Sequence, residues 1–135
     1  VNLQNKKKQE VNMPRINVKL NDVESNFQVY PEDSYLVEIQ EKSRLGKSKE
    51  NEPKIIWIGK IMEGDYEGKY INWDTSLQDQ ALWNLKNMLE AMQFEWDEDG
   101  FDIEDVVGEK IIIDVTVKDW QGNPRNYVTG YHPVE

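Results

Sequence analysis

The segment Ile111-Ile112-Ile113-Asp114-Val115-Thr116-Val117-Lys118 carries the clearest two-residue alternation in the chain. Ile111, Ile113, Val115 and Val117 fall on one side of an extended backbone and Ile112, Asp114, Thr116 and Lys118 on the other, so the spacing predicts a half-buried strand. Because this segment follows the one convincing helical pattern, strands must stand on both sides of a helix. Downstream, Asp119-Trp120-Gln121-Gly122-Asn123-Pro124 reads as a hairpin turn and Arg125 to Tyr131 as the closing strand.

Upstream, Asp74-Thr75-Ser76 offers helix-capping side chains, and Leu77, Ala81, Leu82, Leu85, Met88, Leu89 and Met92 recur at helical spacing to about Met92. That stripe is read as core, with Trp83 at its border. From Glu90 to Glu109 there are nine carboxylates and no cation; Phe101, Ile103, Val106 and Val107 can anchor this stretch as a short helical turn ended by Gly108. Before the helix three strands are expected. Tyr35 to Glu41 sets Tyr35, Val37 and Ile39 on one side, Lys54 to Met62 is composed like a strand covered on both faces, and Tyr66 to Trp73 is interrupted by Gly68. Gly59 marks a bulge or sharp bend. An earlier ordered segment runs from Phe27 through Val29 to a turn at Pro31-Glu32-Asp33-Ser34.

Three strands, a helix and two strands predict a mainly β fold with one principal helix, an OB-like five-stranded Greek-key barrel. Residues 1–14, which include Lys6-Lys7-Lys8, read as a flexible N-terminal arm, and residues 15–135 as a single OB-like domain. The absence of cysteine excludes disulfides and thiolate metal sites, and no apolar run reaches membrane-spanning length or resembles a secretory signal. A cytoplasmic protein without cofactor or membrane contact is the expectation.

Charge is divided unevenly. The net charge is -10, yet residues 1–60 hold 11 Lys or Arg against 9 Asp or Glu, while residues 61–135 hold 5 against 17. Lys42-Ser43-Arg44-Leu45-Gly46-Lys47-Ser48-Lys49 has four cations and no carboxylate, and the strand order makes it the loop between the first two strands. Such a loop can meet phosphates, with Gly46 letting it bend. The hairpin around Trp120 is the second loop through which such barrels grip oligonucleotides. Trp120 can stack on bases there, with Arg125 beside it. If Ile71 points inward, Tyr70 points outward and is a stacking candidate. Trp57 and Trp73 are also candidates for the binding face, although alternation leaves core burial open for both.

Catalytic signals are weak. His132 is the one histidine, next to a proline, with no serine or cysteine arrangement around it, so it is read as a surface residue. The run Asp97-Glu98-Asp99 with Asp102, Glu104 and Asp105 lacks the alternating pattern and closing glutamate of a calcium loop and reads as a solvated face. Glu67-Gly68-Lys69 is too common a tripeptide to mark a nuclease.

Several landmarks coincide: Phe27-x-Val29-x-Pro31 before Ser34-Tyr35, Lys47 after Gly46, Glu63-Gly64-x-Tyr66-x-Gly68, Trp83-Asn84-Leu85 within the helix, Gly100-Phe101-Asp102 with Val107-Gly108, and Trp120-x-Gly122. Together they make the chain, from about Met13 to Tyr131, resemble a phage and prophage family of small proteins, often of unknown function and regarded as OB-like single-stranded-DNA-binding proteins of phage replication or recombination. The resemblance implies binding of single-stranded DNA without marked sequence preference, in the host cytoplasm. Proteins of that activity commonly end in a flexible acidic tail that recruits partners, whereas this sequence carries its acidic cluster internally and finishes at His132-Pro133-Val134-Glu135. Replication or recombination proteins are the expected partners of that cluster. The rival expectation is a phage protein-interaction module or DNA mimic, whose acidic surface centred on Glu95 to Glu109 engages a basic protein.

Overall fold

The computed structural model describes residues 14–20 and 29–135. The arm expected at residues 1–14, apart from Pro14, and the start of the ordered segment at Phe27 lie outside the described residues. Among the described residues, six strands form one antiparallel sheet: β1 (Asp33–Ile39), β2 (Arg44–Lys47), β3 (Pro53–Ile61), β4 (Tyr70–Ser76), β5 (Lys110–Trp120) and β6 (Asn123–His132). A helix, α1 (Leu82–Ala91), stands between β4 and β5.

The sheet runs β2, β3, β1, β5, β6, with β4 on the remaining side of β3. β1 and β2 lie in succession along the same edge of β3, Ile39 opposite Gly59 and Arg44 opposite Ile56. The expected first strand therefore continues past Glu41 after a break. Ser43 makes that break tolerable: its hydroxyl accepts the Ile58 N–H at 2.9 Å, and its own N–H donates to the Gln40 carbonyl. The basic stretch is accordingly not a free loop. Arg44–Lys47 is paired strand, and the turn proper is Ser48 to Asn51, where Asn51 takes a φ of 64° and its N–H reaches the Ser48 carbonyl.

Alternation decides the core. Tyr35, Val37 and Ile39 of β1, Ile55, Trp57 and Ile61 of β3, Ile71 and Trp73 of β4, and Ile111, Ile113 and Val115 of β5 are all buried. The opposite face of β3 is half-covered, so the expected cover on both faces is complete on one and partial on the other. Gly59 sits where a Cβ would come within 3.0 Å of both the Trp73 ring and Val37 Cβ. Its role is close approach of neighbouring layers within a continuous ladder, Gly59 pairing with Ile71.

The helix is shorter than its periodicity predicts. Asp74, Thr75 and Ser76 complete β4, because Thr75 is fully buried, pairs with Ile55 and accepts the Trp57 indole N–H at 2.9 Å. A side chain committed to the core cannot cap a helix. Asp79–Ala81 forms a single tight turn before α1, whose Leu85, Met88 and Leu89 are buried while Leu82 and Trp83 are exposed. The helix ends with Gln93 at φ 59° and the Phe94 N–H donating to the Leu89 carbonyl, a left-handed closure of the final turn. The acidic stretch is anchored as expected: Ile103–Asp105 forms one turn, Val106 is fully buried, and Gly108 takes a φ of 92°.

Candidate nucleic-acid interface

Two hairpin tips converge. β5 and β6 pair to their very ends, Trp120 opposite Asn123, and the two-residue connection places Gln121 at φ 50° and Gly122 at φ 85°. Successive left-handed residues match the twist of the strands, so this hairpin projects as a continuous ribbon. Its tip meets the β2–β3 turn. Lys49 Nζ lies 4.6 Å from the centroid of the Trp120 ring, and Arg125 Cζ lies 4.5 Å from it. Cations are attracted to the negative face of the indole, so the ring and the two charges form one surface.

Of the other predicted cations, Lys42, Arg44 and Lys47 are exposed along the same β2 segment, and Arg44 Nη1 donates to the Lys42 carbonyl at 3.1 Å. None of the four belongs to an ion pair among the described residues, whereas Lys54 is held by Asp74 at 2.6 Å. Free cations next to a half-buried indole are what a phosphate backbone with stacked bases requires.

Tyr70 lies on a neighbouring feature. Beyond the Trp120 tip, β4 and β6 form no ladder with each other, and a groove of about 670 Å³ separates them. Tyr70, Asn72 and Asp74 line it from β4, and Arg125, Asn126 and Tyr127 from β6. Tyr70 is 56% exposed while Ile71 is 4% exposed, so alternation set Tyr70 on the outer side. Tyr30 spans the gap: its N–H donates to Asn126 Oδ1 and its carbonyl accepts from Asn126 Nδ2, both at 2.8 Å, while its hydroxyl donates to the Tyr70 carbonyl at 2.8 Å. Burial, and then the neighbouring Tyr66, hold the Tyr30 hydroxyl above the usual tyrosine range, which keeps it a donor.

Trp57 and Trp73 are corrected. They are 0% and 6% exposed, and both belong to the core cluster. Returning a ring of this size to water costs roughly 4–6 kcal/mol of transfer free energy, more than the roughly 1–3 kcal/mol that stacking on a base supplies. Neither can leave the core to bind. Among the described residues, Trp73 Nε1 and Tyr131 Oη are buried without a well-formed hydrogen bond. Burial pushes the Tyr131 hydroxyl up to about 12, the nearby Asn84 and Trp73 only partly offsetting it.

Sequence reasoning missed Tyr127 and Lys118. Tyr127 is 37% exposed, with Lys118 Nζ 5.9 Å from its ring centroid. Val128 faces Val115, so inward Val128 makes its neighbour Tyr127 outward, a signal present in the alternation of the last strand. His132 lies on the surface as expected, with Nε2 2.7 Å from Asp114 Oδ2, and Ser34 Oγ donates to Asp114 Oδ1 at 2.7 Å. The order serine, aspartate, histidine leaves the hydroxyl bonded to the carboxylate and gives it no imidazole base. Among the described residues, no group of three or more histidine or carboxylate side chains is placed to hold a metal ion, and no helix is long and apolar enough to cross a membrane.

Among curated proteins, none matches the chain. Residues 16–135 match a family model described as "Protein of unknown function (DUF669)", and the chain belongs to that family.

Proposed function

We propose that the protein binds single-stranded DNA without marked sequence preference, through a surface running from the β2–β3 turn across the β5–β6 tip into the groove between β4 and β6. The convergence of Lys49, Arg125 and Trp120 carries the reading. Lys42, Arg44, Lys47 and Lys49 offset backbone charge, Trp120 stacks on a base, and Tyr70 and Tyr127 offer further rings along the groove. Counting β1 and β2 as one strand interrupted at Ser43 gives five strands, which supports an OB-like barrel left open between β4 and β6. A role in phage replication or recombination, within the host cytoplasm, rests on the family resemblance alone. Anisotropy of a labelled oligonucleotide, titrated at stepped salt, tests the activity. Binding that weakens steeply with salt is expected, and no binding even at low salt would sink the proposal.

A second reading has its own observation. Glu95, Asp97, Glu98, Asp99, Asp102, Glu104 and Asp105 are all exposed, and no cation neutralises them within the segment. We propose that this surface engages a basic protein, either in place of DNA binding or alongside it. Replacing these carboxylates with amides should then abolish partner binding without weakening oligonucleotide binding.

A further inference from the structure

The ladder between β1 and the chain entering β5 ends abruptly. The Ile39 N–H donates to the Glu109 carbonyl, and the Gly108 N–H to the Ile39 carbonyl, both at 2.9 Å. Beyond that point the strand path continues as β2, which among the described residues pairs with β3 alone. The Ser48 N–H donates to the Glu52 carbonyl, so the bonded positions of this antiparallel pair alternate through Gly46 and Arg44. Leu45 and Lys47 therefore turn their backbone N–H and C=O groups away from β3, toward the open edge.

That edge borders a groove of about 890 Å³, which Leu45 shares with Ile55, Leu77, Phe101 to Glu104 and Val107. Leu45 shares the core-facing side of the sheet, pairing with Ile55, yet it is 66% exposed where Ile55 is 2% exposed. Among the described residues, this core position is left without cover. Three carboxylate residues, Glu41, Asp102 and Glu104, line the groove with no cation among them. Lys47, the next residue on this side of β2, falls outside the lining.

We propose that this groove docks an extended, basic segment of a partner protein, added as a strand to the free edge of β2. Alternate apolar side chains cover Leu45 and Phe101, and the intervening lysines or arginines meet Glu41, Asp102 and Glu104. The inference rests on the acidic-surface reading for the sign of its partner and supplies the contact that reading lacks.

The probe is a short, fluorescein-labelled peptide of alternating lysine and leucine, titrated against the full chain. Expected are saturable binding, slowed amide exchange at Leu45 and Lys47, and a loss of at least about tenfold in affinity for Leu45→Lys. The same peptide N-methylated at alternate residues should bind no better than the Leu45→Lys variant allows. Because Leu45→Lys adds a cation to the basic β2 segment, oligonucleotide affinity should hold or rise while peptide affinity falls, and circular dichroism checks that the variant folds. If binding depends on Asp97, Glu98 and Asp99 but not on Leu45, the groove is overturned while the acidic surface survives. If the peptide does not bind at all, both fall. Sedimentation showing that the chain pairs with itself through this edge would also overturn the proposal.

Discussion

Two tryptophans with the same chemistry do opposite work because of what surrounds each. Trp57 is fully buried and donates its indole N–H to Thr75, while Trp120 sits half-exposed at a hairpin tip beside Lys49 and Arg125. Trp57→Ala should cost about 3–5 kcal/mol in urea unfolding, whereas Trp120→Ala should leave unfolding nearly unchanged and lower oligonucleotide affinity roughly 5- to 150-fold. Equal stability losses from the two would contradict the assignment. Asp114 shows a second residue-scale effect. Ser34, then His132, hold its carboxyl below the usual value of 3.8, with burial opposing them. A lowered folded value means that the unfolded chain takes up the proton first, so this stabilisation is complete above 3.8 and is lost as pH falls through the lower folded value. The urea-midpoint difference between the native chain and Asp114→Asn should therefore shrink as pH is taken from about 5 to about 2. A difference that stayed constant over that range would show that Asp114 contributes nothing through its charge.

Elements obey their local pattern until a long-range contact outbids it. Gly59 could be read as a bulge because glycine weakens a strand, but its reason is the 3.0 Å approach of Val37 and the Trp73 ring. Gly59→Ala should thus destabilise the chain by about 1–3 kcal/mol, read from the urea midpoint, without altering the hairpin tips. Wild-type stability in that variant would mean the layers have room to separate. The same contest explains what the sequence made legible. The strand at Ile111 and the Gly108 turn stood out because one strand or turn contains the whole signal, and the opposite parity of Tyr70 and Ile71 was readable, though not which of them faced inward. The helix start did not, since Thr75 is claimed by a tryptophan 18 positions earlier in the chain. Pairing of Arg44–Lys47 was hidden for a similar reason, as a polar strand declares itself only through its partner in β3. Of the candidate site, the cations, Trp120 and Tyr70 were readable as types. Contact between Lys49 and Trp120 joins positions 71 residues apart, and no local pattern encodes it.

Across the whole molecule, a net charge of -10 opposes any polyanion, so nucleic-acid binding must come from how the charges are arranged. The basic β2 segment and the acidic stretch before β5 occupy different chain segments, each largely exposed. At physiological ionic strength, interactions beyond about 8 Å are mostly screened, so a strand held against Lys42, Arg44, Lys47 and Lys49 feels the cations it touches more than carboxylates it does not touch. At low salt the screening weakens and the acidic stretch repels the same strand. Two substitution sets separate these contributions. Replacing the four cations with glutamine should flatten the slope of log affinity against log salt by about 0.7 for each phosphate no longer neutralised, or by about 3 if all four engage. Replacing Asp97, Glu98, Asp99, Asp102, Glu104 and Asp105 with their amides should raise affinity most at low salt and converge on the native value as salt increases. A slope unchanged by the first set would mean that phosphates are met elsewhere, and the proposed surface would have to be given up.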